Sequence, residues 1–179
     1  MIEGASKWSA LGDIDDRHSR GEGGNGRGHR LVAFGNLTDY DTNLAFIQHV
    51  LSMDTIFVSS TIKYRAITDP ALQRAAYALI IATEAATAVL CWIGAGVLAR
   101  RLFADADAFN RAKSLAIVGL TLGFLLWHVG FMSIGGEWFG MWESQRWNGV
   151  PSAFRFLMTS IAVLIFVAIP DQELERGAA

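Results

Sequence analysis

The sequence predicts an all-α fold, a multi-pass bundle of transmembrane helices with a short interfacial helix at its outer end. Three observations carry this reading. Long apolar runs occupy Ala75 to Leu98, Ser114 to Ile134 and Pro151 to Ile169, each close to the ~20 residues that a helix needs to cross a core of ~30 Å. Helix starts and stops bracket these runs. Tryptophans crowd between the second and third run, as they do where a chain meets a membrane surface.

Composition agrees. Hydrophobic residues make up 52% and charged residues 18%, below the roughly one quarter usual for soluble domains. The length fits one domain. A net charge of -2 excludes nucleic acid as a partner, because no basic face is large enough to neutralise phosphates. Cys91 is the single cysteine, which excludes an intramolecular disulfide and a cysteine metal site. It reads as a small buried hydrophobe.

The elements follow in order. Residues 1–30 are polar and rich in glycine, with almost nothing to bury, so disorder is expected. No apolar segment follows their charges as in a signal peptide. The membrane domain is read as residues 31–170. Leu31 to Phe34 is an apolar stub, and Asn36-Leu-Thr-Asp-Tyr-Asp-Thr-Asn43 is a cluster of turn and cap residues. Leu44 to Leu51 reads as a short helix capped by Asp41, Thr42 or Asn43, which Ser52-Met-Asp-Thr55 breaks. This outer motif segment spans 31–69.

Asp69-Pro70 opens the first long helix, over 70–101. It carries one charge, Glu84, in its apolar body and ends at Arg100-Arg101. The second, over 105–134, is capped by Asp105 or Asp107 and is expected to end at Gly135-Gly136. A Trp-rich outer loop covers 135–150. The third helix runs over 151–170 and stops at Pro170, leaving a cytoplasmic tail at 171–179. Arg100, Arg101, Arg111 and Lys113 crowd the loop between the first two helices, against Arg146 alone in the next loop. The first of these loops is therefore expected to be cytoplasmic, with the C-terminus, and the Trp-rich loop periplasmic. Three helices then require the polar N-terminal residues to cross the membrane, a difficulty that one more helix before Asn36 would remove.

From Leu31 onward the chain resembles a bacterial family of predicted small integral membrane proteins, domain of unknown function 2165 (DUF2165). The resemblance rests on Asn36-Leu-Thr-Asp-Tyr-Asp-Thr-Asn43, Gln48-His-Val-Leu-Ser-Met-Asp54, Arg65-Ala-Ile67, Glu84-Ala85 and Phe109-Asn-Arg-Ala-Lys113. It continues in Gly135-Gly-Glu-Trp-Phe-Gly-Met-Trp142, Trp147-Asn-Gly149 and Ala153-Phe-Arg-Phe156. It implies four membrane helices, the first preceding the Asn-Leu-Thr-Asp-Tyr motif, and brings no reaction, substrate or cofactor. The chain departs from the family at Met1 to Arg30. We expect a frameshift or misassigned start there, with a genuine three-helix variant as the other reading.

No catalytic motif is present: no phosphate-binding loop, nucleophile elbow or zinc-protease helix. Gly119-x-x-x-Gly123 is a small-residue motif that lets helices approach closely. Glu84 is the most informative residue, since a carboxyl in hydrocarbon is costly. It either registers the bundle through hydrogen bonds or takes a proton- or ligand-linked role. Counting residues from the outer face puts Glu84, His128, Thr159 and Ser160 at similar depth. They are expected to form an intramembrane polar layer, with Glu84 facing inward toward His128 or the two hydroxyls.

His49 and His128 read as structural, with haem ligation or proton carriage as the other readings. Glu137, Trp138, Trp142, Arg146 and Trp147 form an outer-face motif with Asn36, Asp39, Asp41, His49 and Asp54. Interfacial anchoring explains the tryptophans, and a lipid, quinone or partner site is the alternative. The three aspartates read as solvated loop charges rather than a cation site. No cofactor and no metal are implied. The expected function is a non-catalytic accessory or assembly component of the cell inner membrane. Its outer face would contact the lipid bilayer or a partner membrane protein. A small proton-linked transporter using Glu84 and a membrane redox protein holding haem or quinone are the alternatives.

Overall fold

A computed structural model describes residues 39–172. The expectations placed on residues 1–38, Asn36 among them, and on residues 173–179 lie outside the described residues. Everything between them is helix, turn and loop.

Helix α1, Tyr40–Ser52, starts four residues before the sequence reading placed it. Asp39 is its N-cap residue but makes no side-chain capping bond. Instead the Asn43 amide donates to the Asp39 carbonyl at 2.9 Å. The helix stops at Met53, whose left-handed backbone (φ 52°) turns the chain. The connector that follows folds back on it: the Ile67 N–H donates to the Leu51 carbonyl at 2.8 Å, and the Gln73 amide donates to the Ile67 carbonyl at 2.8 Å.

Helix α2, Pro70–Arg100, begins where proline has no N–H to lose. The Asp69 carboxylate accepts from Ala71 N at 2.6 Å and Leu72 N at 3.2 Å. Its buried positions are Gln73, Tyr77, Glu84 and Gly94, all on one seam of a helix. Helix α3, Ala106–Ala112, is capped by Asp105, which accepts from Ala108 N at 2.6 Å. After a turn at Lys113 the chain continues as α4, Ser114–Leu125, and then widens without a break into a π-helix, Leu126–Trp138.

Gly135-Gly136 therefore does not end the second long helix. Glycine stops a helix when it takes the left-handed conformation. Among the described residues the glycine that does so is Gly140 (φ 63°). The wider winding is visible at its exit, where Phe139 N donates to the carbonyl of Ile134, five residues back. A short 3₁₀ turn, Met141–Glu143, and helix α5, Val150–Ala168, complete the described chain.

Pro70–Arg100, Ala106–Trp138 and Val150–Ala168 are each long and apolar enough to cross a membrane. Their outward faces are apolar as well: Leu79, Trp92, Ile93, Val118, Ile165 and Phe166 are exposed, which suits lipid rather than water. Helices α2 and α4 run antiparallel and touch backbone to backbone. A Cβ on Gly94 would fall 2.6 Å from Ala116 N, and one on Gly119 would fall 2.9 Å from Leu90 Cβ. Gly123 continues the seam, where a Cβ would meet Thr87 Cγ2 at 3.1 Å. The small-residue motif thus sets the helix separation.

Candidate functional site

Two polar regions stand out against the apolar bundle. The first is a cap at one end. Met53, Ile56, Phe139 and Met141 form its buried centre with Val50, and Phe46, Ile62 and Val150 pack against them. These residues come from α1 and the connector that follows it, and from the Trp-rich loop far along the chain. Polar bonds join the same stretches. Ser144 Oγ lies 2.8 Å from Thr55 Oγ1 and accepts from Trp147 N at 2.9 Å. The Glu143 carboxylate accepts from Phe57 N at 3.3 Å and from Ser60 Oγ at 3.4 Å.

His49, Asp54, Trp138, Trp142, Arg146 and Trp147 of the outer-face motif gather here. His49 Nδ1 sits 2.7 Å from Asp54 Oδ2, and its ring stacks on Trp147 at 4.5 Å. Arg146 lies over the same Trp147 ring at 5.2 Å. Trp142 meets Phe57 edge to face at 6.0 Å. Trp138 is the last residue of the π-helix; its ring carries the Arg65 guanidinium at 4.4 Å, and its carbonyl accepts from Arg65 Nη1 at 3.2 Å. Glu137 is exposed. Asp39 and Asp41, also exposed, do not join this cluster: they begin α1 at its other end, where Tyr40 packs on Tyr77 of α2 at 5.1 Å. Among the described residues no three His, Cys, Asp or Glu side chains gather to hold a metal ion.

The second region is a cavity of about 280 Å³ where α1, α2, the π-helix and α5 meet beneath the cap. Glu84, 7% exposed, and Tyr77, 1% exposed, line it from α2. Asn43, Asn148 and Ser152 line it from the cap and the start of α5. Trp127 closes one side, stacked on Phe156 at 4.6 Å and tilted against Phe131 at 4.8 Å. An apolar groove of about 460 Å³ adjoins it and shares the wall of Phe46, Ile47, Ile80 and Phe131.

The expected polar layer is only partly assembled. Glu84 faces inward. His128 does not meet it: its ring is exposed and stacks on Phe124 at 5.4 Å. Thr159 is exposed and bonds its own helix, donating to the Arg155 carbonyl at 3.0 Å. Ser160 belongs to a neighbouring contact, 3.9 Å from where a Cβ on Gly123 would stand, opposite Thr87. Equal depth does not fix direction, because position around a helix depends on winding, and the π-helix that begins at Leu126 changes it.

Sequence reasoning missed Tyr77, Asn43, Asn148, Ser152 and Trp127 as neighbours of Glu84. Tyr77 was within reach, since it lies seven residues before Glu84 on the same helical face. The others carry no such signal. At the far end of the bundle Lys113, 6% exposed, donates to the Ile169 carbonyl and pairs with Asp171. Asn110 bonds the Asp171 backbone in both directions, at 3.0 and 2.9 Å. The Phe109-Asn-Arg-Ala-Lys113 motif thereby fastens the exit of α5.

Comparison with curated proteins returned no match, and neither did comparison with solved structures. The family model described as a predicted small integral membrane protein, DUF2165, matches residues 28–170. With three membrane-length helices and that match, the chain belongs to the DUF2165 family of predicted small integral membrane proteins.

Proposed function

We propose that this protein is a non-catalytic accessory or assembly component of a bacterial inner membrane. Its cap faces the periplasm and docks a partner membrane protein or lipid. One observation carries the reading. The cap satisfies its polar groups internally yet turns large side chains outward: Val58 is 94% exposed, Tyr64 78%, Trp138 53% and Trp142 50%. Aromatic residues on a rigid support are the side chains that anchor interfaces, and at a membrane surface they also seat in the headgroup layer. A photo-crosslinking residue at position 142 distinguishes these occupants. A discrete protein adduct, identified by mass spectrometry, is expected for a partner, and a lipid adduct for headgroup contact. Crosslinking to neither, or substrate turnover by the purified protein, overturns the proposal.

The buried carboxyl in a cavity supports a second reading, proton-linked transport through Glu84. In proteoliposomes Glu84→Gln would abolish uptake if it holds and leave uptake unchanged if Glu84 only registers the helices.

A further inference from the structure

The apolar groove of about 460 Å³ lies on the membrane-spanning part of the chain, and neither reading uses it. Helix α1 walls it through Val50 and Leu51, α2 through Leu79 and Ile80, and α4 with the π-helix through Leu125 and Ile134. Leu79, Leu125 and Ile134 are exposed, so the groove opens sideways, toward the hydrocarbon around the spans. Gly130 and Gly135 contribute no side chain to fill it. A Cβ on Gly130 would meet only Leu126 Cδ1, at an ordinary 3.6 Å.

The lining selects the occupant. Among the described residues that line the groove, Thr83 alone has a side-chain nitrogen or oxygen. Its hydroxyl donates to the Leu79 carbonyl of its own helix at 2.8 Å. A quinone ring, a sugar or a peptide backbone would give up hydrogen bonds there without replacement, whereas a hydrocarbon chain gives up none. Leu122 and Ile134 both line the groove, twelve residues apart, which is at most about 18 Å. Half of a ~30 Å core is ~15 Å, so the groove has the depth of one leaflet.

Positive charge stands at its cap end. Ile67 N donates to the carbonyl of Leu51, and Arg65 Nη1 donates to the carbonyl of Trp138, the neighbour of Phe139. Leu51 and Phe139 both line the groove, which puts Arg65 at its mouth. A guanidinium has five N–H donors. Among the described residues, the Tyr64 hydroxyl takes the one on Nε and Trp138 takes one on Nη1. The three left suit the oxygens of a phosphate. Lys63, on the same turn, adds a second cation against the exposed Glu137.

We propose that this groove binds one acyl chain of a phospholipid, whose phosphate lies against Arg65. The site is below the cap surface and depends neither on what docks there nor on transport through Glu84.

Native mass spectrometry of the full-length protein in detergent tests it. The probes are dioleoyl phosphatidylglycerol, its dihexanoyl analogue and dioleoylglycerol. One copy of the long-chain phospholipid should stay bound at collision energies that strip the rest. The short-chain phospholipid and the phosphate-free diacylglycerol should each bind ~10-fold more weakly. Gly130→Leu, which fills the groove, and Arg65→Gln should each lower occupancy by a similar factor. Even loss of all bound lipid, with no retained copy, overturns the proposal. So does equal binding of dioleoylglycerol, or full occupancy of a folded Gly130→Leu protein. Should that variant fail to fold, the three probes on the unaltered protein decide by themselves. A photo-crosslinking residue at position 129 identifies any other occupant: a phospholipid adduct is expected, and a crosslink to residues 1–38 or to a second protein overturns the assignment.

Discussion

Ser144 is a small residue with a large structural role. Its side chain is buried, 4% exposed, and holds the connector at Thr55 and the loop at Trp147 together. Ser144→Ala removes both bonds and strands two polar partners, which costs about 1–3 kcal/mol. The expected result is a lower melting temperature and faster proteolysis within the Trp-rich loop, read by mass spectrometry of the fragments. Lys113 plays a comparable part at the other end, where one ammonium group serves the Ile169 carbonyl and the Asp171 carboxylate. Hydrogen bonds to charged groups contribute roughly 1.5–3 kcal/mol. Lys113→Ala should therefore lower thermal stability in detergent by an amount in that range. An unchanged melt would show that the fastening of α5 rests on Asn110 alone. The half-exposed pair of His49 and Asp54 is worth much less, roughly 0.2–1 kcal/mol.

At the scale of the element, the crossing of α2 and α4 gives the sharpest test. Gly94 and Gly96 lie two residues apart on α2 and face opposite surroundings. A Cβ on Gly94 would collide with the backbone of Ala116, whereas one on Gly96 would meet nothing within 4 Å. Gly94→Ala should force the helices apart and destabilise the protein by more than 1 kcal/mol, as overpacking does. Gly96→Ala should be neutral or slightly stabilising. Thermal melts of the two variants side by side check this, and equal behaviour would contradict the close crossing. The π-helix is the other element with consequences. It carries Trp127 and Phe131 to the cavity and leaves His128 outside.

For the whole molecule, orientation is the open quantity that a measurement can fix. The Lys/Arg rule favours a cytoplasmic loop between the first two long helices. Folding changes the tally, because Lys63 and Arg65 belong to the cap and stand at the same end as Arg146. Gln145 is an exposed residue of the cap, and Ala104 an exposed residue of the opposite loop. In a Cys91→Ala background, an impermeant thiol reagent applied from the periplasm should label Gln145→Cys and spare Ala104→Cys. The reverse pattern would invert the protein in the membrane.

The membrane class, the three spans and the signals at Asp69-Pro70 and Asp105 were legible in the sequence, because hydropathy and capping are local properties. So was the inward burial of a lone carboxyl, since hydrocarbon leaves Glu84 few alternatives. The joining of the outer motif to the Trp-rich loop was readable only as a shared end of the bundle. Its contacts, His49 on Trp147 and Ser144 on Thr55, connect residues about a hundred positions apart, and no periodicity encodes such pairs. The glycine pair misled because a glycine's effect depends on the backbone angle that packing gives it: Gly140 turns the chain, and Gly135-Gly136 winds on. The polar layer assembled only in part for a related reason. Rise per residue is the same in every sequence, so depth could be counted, but the direction of a side chain depends on winding and on what packs beside it. Only the tertiary structure exchanged His128 for Tyr77, Asn43 and Ser152 as the surroundings of Glu84.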